Sequence, residues 1–128
     1  MKDETKIWLD YSKENLDAAK ILIENKLFNP CLQNVQQCVE KSLKALLIEN
    51  SLKLKKTHSI FKLKNILLDN GVTIEISDED CEFLDSIYVP SKYPVGSVLP
   101  YYEADYEICT NGISIAEDVF NFVNKMVK

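Results

Sequence analysis

The residues best suited to chemistry fall in two short clusters. The first is Lys55-Lys56-Thr57-His58, and it contains the only histidine of the chain. Histidine is the residue type that exchanges protons most readily near neutral pH. A threonine able to cap a helix, the free N–H groups of a helix's first turn and two ammonium groups together favour an anion. His58 therefore reads as a phosphate contact or a proton-transfer group. Its structural alternative is a helix-start histidine that bonds backbone and fixes a loop. The second cluster is Tyr88-Val89-Pro90-Ser91-Lys92-Tyr93-Pro94. Prolines restrict the backbone there, so an aromatic ring can stack on a base while a lysine meets a phosphate. The alternative is a structured loop whose tyrosines pack on the body of the fold. Lys56, Thr57, His58, Lys92 and Tyr93 are thus the candidate residues for an anion or nucleotide, and no residue is assigned a catalytic role.

Charge supports looking there. The net charge is −5, which opposes tight nonspecific binding to nucleic acid. Its distribution is uneven. Residues 1–40 are net −2, residues 41–64 are net +6 and residues 65–128 are net −9. A basic middle between acidic ends fits either an anion or partner surface or a solvated lysine face. All 15 basic residues are lysines. Lysine brings a point charge and lacks the planar fork with which arginine grips phosphate through two parallel bonds.

Several functions lack their signatures. There is no phosphate-cradling glycine loop, no dinucleotide fingerprint and no serine in a nucleophile-elbow setting. Cys31, Cys38, Cys81 and Cys109 form no C-x-x-C pair, and one histidine cannot complete a zinc site. The cysteines are expected as small buried hydrophobes, and neither a metal nor a cofactor is expected. No apolar leader follows Met1-Lys2-Asp3-Glu4 and no long apolar run occurs, so a cytoplasmic protein without a membrane span is expected.

Helices must position the clusters. With 128 residues, 46% hydrophobic and 27% charged, the chain has the balance of one globular domain, 1–128. A first helix, about 4–26, is expected to turn Trp8, Tyr11, Ala18, Ala19, Leu22 and Ile23 to one face. Asn29-Pro30 reads as N-cap and first residue of a second helix that runs to about Asn50 on a stripe of Leu32, Val35, Val39, Leu43 and Leu46. Thr57 would cap a third helix, about 58–69, that Asn70-Gly71 closes. Val72 to Ile76 alternates like a strand but has nothing to pair with, so it reads as an extended connector. Ser77-Asp78-Glu79-Asp80 starts a fourth helix. Val89 to Pro100 reads as an irregular loop, broken by three prolines and a glycine. The last helix, about 102–127, carries two apolar rows. Tyr102, Tyr106, Cys109, Ile113, Ala116, Phe120, Val123 and Val127 form one; Ile108, Ile115, Val119, Phe122 and Met126 form the other. Either the second row is covered by a second copy of the chain, or both rows line one broad core face. The result is an all-α, up-and-down bundle of four to five helices, with the second and last helices side by side and the lysine turn at one end.

With these elements in place, the chain resembles the HEPN domain family (higher eukaryotes and prokaryotes nucleotide-binding). The likeness rests on Trp8, Asn15-Leu16, Ala18-Ala19, the run Gln37-Cys38-Val39-Glu40-Lys41-Ser42-Leu43-Lys44-Ala45-Leu46-Leu47, Lys56-Thr57-His58, Tyr88 and Ser91-Lys92-Tyr93-Pro94. The resemblance implies a helical bundle that commonly forms homodimers. It also implies nucleotide binding, or pairing with a minimal nucleotidyltransferase as in toxin–antitoxin couples. A large branch of the family are metal-independent ribonucleases that use an arginine four to six residues before a histidine. No arginine exists here, Lys53 precedes His58 by five residues, and the usual Arg-Tyr-Pro stands as Lys92-Tyr93-Pro94. The expected role is a noncatalytic module that binds a nucleotide, a small nucleotidyltransferase or both; the alternative is a divergent endoribonuclease.

Overall fold

A computed structural model describes residues 1–92 and 103–128, apart from the side chains of residues 89–92. Five helices follow one another: α1 Asp3–Glu24, α2 Phe28–Glu49, α3 Ile60–Asp69, α4 Asp78–Lys92 and α5 Tyr106–Met126. No strand occurs among the described residues.

Three helix ends share one device. Asn25, Asn50 and Asn70 close α1, α2 and α3, and each side-chain amide donates to the carbonyl four residues back. The next residue, Lys26, Ser51 or Gly71, takes a left-handed φ of 58°, 57° or 81°. The residue after that, Leu27, Leu52 or Val72, then donates its N–H back to Leu22, Leu47 or Leu67. This is the left-handed helix closure that glycine adopts without strain, and only Gly71 uses glycine. After the first closure the chain enters α2 at once. Leu27 is the N-cap, and Asn29 lies inside the first turn instead of capping it. Pro30 is the third helical residue, where a missing N–H costs nothing because first-turn N–H groups have no helical partner.

α2 is the central helix and packs against α1, α3, α4 and α5. Cys31, Leu32, Val35, Cys38, Val39, Leu43, Ala45, Leu46 and Leu47 are buried on it. Each such leucine contributes roughly 1.5–3 kcal/mol by leaving water. α1 runs antiparallel to α2: Thr5 bonds Glu49, Ser12 bonds Ser42, and Asn15 bonds Asn34. α5 packs against both α1 and α2: Cys109 reaches Phe28 of α2, Cys38 of α2 reaches Ala116, and Glu117 pairs with Lys20 of α1. The expected neighbourhood of the second and last helices is therefore present. Gly112 permits the approach, since a Cβ there would lie 3.3 Å from Leu32 and Val35.

Other expectations change. On α1 the core side is Leu9, Leu16, Ala19 and Ile23, whereas Tyr11 faces outward. α5 begins at Tyr106, because Asp105 caps it by accepting the Ile108 N–H at 2.8 Å; Tyr102 lies outside the described residues. Ile115 and Val119 from its second row are buried beside Cys109, Ala116 and Val123, so much of both rows lines one broad core face. α4 reaches Lys92 and passes Pro90, where a loop was expected from Val89. A proline removes one helical hydrogen bond and clashes with one carbonyl, which bends a helix without obliging it to stop. Ser77 starts α4 as expected, accepting the Asp80 N–H. In the extended connector Val72, Ile74 and Ile76 are buried while Thr73 and Glu75 are exposed, so alternation packs it on the bundle.

Candidate functional site

Gln36, Glu40 and Lys44 are spaced by four and so share one line along α2. All three are buried, which is rare for such residues unless they are paired. Glu40 holds the group together. Its carboxylate accepts Lys44 Nζ at 2.9 Å and Gln36 Nε2 at 3.1 Å. It also meets His58 Nδ1 at 3.1 and 3.2 Å. Gln36 donates as well to the His58 carbonyl, and Gln37 donates to Gln36 Oε1. The imidazole stacks on Tyr88 of α4, with ring centroids 4.4 Å apart and planes 18° apart. On the far side Lys44 Nζ lies 6.0 Å over the Trp8 ring. Beside it, Lys41 Nζ lies 5.8 Å over Tyr11 and donates to Asn15.

The chemistry follows from this geometry. An ionised carboxylate only accepts, so Nδ1 of His58 carries the proton of that bond. Among the described residues nothing bonds Nε2, and the His58 side chain is 45% exposed. The neutral ring thus offers a lone pair outward. The protonated ring donates from both nitrogens and gains a cationic edge that suits phosphate. A carboxylate that orients an imidazole through Nδ1 is also the arrangement used in general acid–base pairs.

Lys56 is exposed and Thr57 is half-buried next to His58, so these three stand together. Thr57 does not cap α3; its hydroxyl accepts the Ser59 N–H at 3.1 Å. Ser59 is the cap, accepting the Lys62 N–H. Asp85 of α4 accepts from the Ser59 hydroxyl at 2.9 Å, from Ile60 N at 2.6 Å and from Phe61 N at 3.4 Å. The helix mouth therefore already holds a carboxylate of the chain itself. An incoming anion would meet the His58 edge and the Lys55 and Lys56 ammonium groups instead. Tyr93 and the side chain of Lys92 lie outside the described residues.

Sequence reading missed Gln36, Glu40, Lys44 and Asp85 as parts of this site. The available signal was the 36–40–44 spacing beside an apolar stripe. Among the described residues no group of histidine, cysteine or acidic side chains could hold a metal ion. The four cysteines are buried and free. Among the same residues no helix is long and apolar enough to cross a membrane.

Comparisons with known proteins agree with this architecture. The model of the HEPN domain family matches residues 5–126. A candidate toxin of Methanocaldococcus jannaschii is 33% identical over 75 residues, which are 59% of this chain and 56% of that protein. The match thus spans little more than half of the relative's length. The crystal structure of an archaeal HEPN homologue superposes with a TM-score of 0.75 at 26% identity, covering all of both chains. A Thermus thermophilus protein shares the fold at TM-score 0.76 and 21% identity, covering 97% of this chain and 98% of its own. An HEPN domain protein of Thermotoga maritima does so at 0.68 and 18%, covering 94% and 96%.

Proposed function

This chain belongs to the HEPN domain family, and from that premise we propose that it is a toxin-like module that recognises a nucleotide phosphate and pairs with a small nucleotidyltransferase. The observation that carries the phosphate half is the half-exposed His58, oriented by buried Glu40, stacked on Tyr88 and adjoined by exposed Lys55 and Lys56. A protonated imidazole edge and two nearby ammonium groups attract phosphate, and no arginine fork is required. Lys92 and Tyr93 belong to the same proposal as the second lysine–aromatic contribution. The pairing half draws on the likeness to a candidate toxin. Calorimetric titration with ATP and GTP tests the site. Binding that weakens at least tenfold in Lys56→Ala/His58→Ala is the expected result. Unchanged affinity in the double variant removes these residues from it.

The same Glu40–His58 pair favours a second reading, RNA cleavage with His58 as the acid–base group. General acid–base catalysis contributes about 10²–10⁴ in rate. Labelled RNA incubated with wild type and His58→Ala separates the readings. Cleavage that disappears with the imidazole supports catalysis, and cleavage that survives belongs to a contaminant.

A further inference from the structure

Helix α1 has two apolar faces, and the bundle uses one. Leu9, Leu16, Ala19 and Ile23 point into the core. On the opposite side Ile7 is 51% exposed, Tyr11 52% and Ile21 63%. With Glu4, Glu14 and Ala18 they form one outward row, Glu4, Ile7, Tyr11, Glu14, Ala18, Ile21, spaced 3, 4, 3, 4 and 3. That alternation is the spacing of a helix–helix seam. The distance from Ile7 to Ile21 is about 21 Å at the helical rise. An exposed apolar row of this length marks an interaction surface.

The charges on the row decide what covers it. Lys6 and Lys13 are paired with Asp10 and Asp17 along one flank, and Lys20 is paired with Glu117. Lys41 reaches the row as well, 5.8 Å over the Tyr11 ring, but it donates to Asn15, and Glu4 and Glu14 have no ion-pair partner among the described residues. A second copy laid on the row in parallel would set Glu14 against Glu14. Laid antiparallel, Ile7 would meet Ile21 and the two Glu14 side chains would meet again. Like charges on a seam are destabilising in either direction. We propose that the outward row of α1 docks a basic amphipathic helix of a different protein, with apolar residues against Ile7, Tyr11, Ala18 and Ile21 and lysine or arginine against Glu4 and Glu14. This proposal rests on the pairing half of the reading above and names the partner's chemistry.

The probe is a synthetic amphipathic peptide of about three heptads. It carries leucines at the four apolar seam positions and lysines opposite the two glutamates; an acidic twin carries glutamates there instead. Both are titrated against the full chain by calorimetry, with amide chemical shifts followed by NMR. The basic peptide is expected to bind at least tenfold tighter than its twin, with shifts concentrated on residues 4–21. Ile7→Asp/Ile21→Asp is expected to abolish binding. Both positions are exposed, so the fold should persist, as circular dichroism checks. Glu14→Lys leaves the apolar row intact and should narrow or invert the preference between the peptides. Equal affinity for the two peptides overturns the proposal, as do shifts centred on the lysine turn or α5. A free chain that sediments as a dimer and becomes monomeric in Ile21→Asp also overturns it, because a second copy would then own the row. Nucleotide titration of the same α1 variants reads the His58 end separately, so either proposal can fail while the other stands.

Discussion

At the scale of single residues, the buried Glu40–Lys44 pair is the most consequential feature. Its charges are nearly free of water, so each depends on the other and on Gln36 and His58. Glu40→Gln keeps the shape and some hydrogen bonds but leaves the Lys44 ammonium buried without a counter-charge. Breaking a buried pair in this way costs roughly 3–5 kcal/mol. Urea denaturation should show that loss, whereas Glu40→Leu/Lys44→Leu should recover most of it. Recovery is expected because a well-packed apolar pair often matches a buried ionic one. Sequence pattern alone hid this pair. A glutamate and a lysine four residues apart are the usual mark of an exposed helix face. Segments remote in sequence meet them: the stretch after α2 brings His58 to Glu40 and α1 brings Trp8 to Lys44, and no local spacing records either contact. His58 itself was legible, because it is the only histidine and follows two lysines.

At the scale of elements, α3 depends on a residue that lies outside it. Asp85 accepts two first-turn N–H groups and the Ser59 hydroxyl. Asp85→Asn should reduce stability by about 1–2 kcal/mol, since a charged acceptor at a helix N-terminus is replaced by a neutral one. Hydrogen exchange checks this most directly. Ile60 and Phe61 amides should lose protection more than those of α1, and uniform loss across all helices would contradict the assignment. Helix ends offer the reverse experiment. Lys26 and Ser51 hold left-handed backbone where glycine would be relaxed. Lys26→Gly and Ser51→Gly should each stabilise the fold by roughly 0.5–1 kcal/mol, read as a higher urea midpoint with an unchanged slope. Much of this layer was readable beforehand. Asn50-Ser51 and Asn70-Gly71 announced two closures, and the spacing of α5 announced its core face. The errors came where two local signals competed. Thr57 and Ser59 can both cap, and Asp85, contributed by another helix, favours Ser59. Asn29-Pro30 has the form of a helix start, but the closure at Lys26 had already turned the chain. At Tyr11 an aromatic residue close to the core stripe was read as part of it.

At the scale of the whole molecule, burial of the thiols makes stability depend on alkaline pH. Burial pushes Cys31 up to about 12 and Cys38 and Cys81 up to about 11, and Cys109 is raised as well. Folding thus favours the neutral thiol. The resulting stability is fully present below the ordinary value of 9.0 and is lost as pH rises toward and through these folded values. Thermal melts between pH 8 and pH 12 should show a steepening decline. Cys81→Ala should flatten it, and an equal slope in that variant would place the loss elsewhere. Below pH 9 the thiols should react slowly with alkylating reagents unless the fold opens. Charge at this scale is also divided along the chain: the exposed Lys53, Lys55 and Lys56 follow α2, whereas Glu4 and Glu14 stand exposed on α1. The central position of α2 has a further consequence during synthesis. The ribosome releases α1 and α2 long before α5, so the hairpin must wait with Cys31, Leu32, Val35 and Cys38 wet along the side that α5 will cover. Nascent chains stalled before Tyr106 should therefore be aggregation-prone and bind chaperones, and release of the last helix should end that vulnerability in a single step.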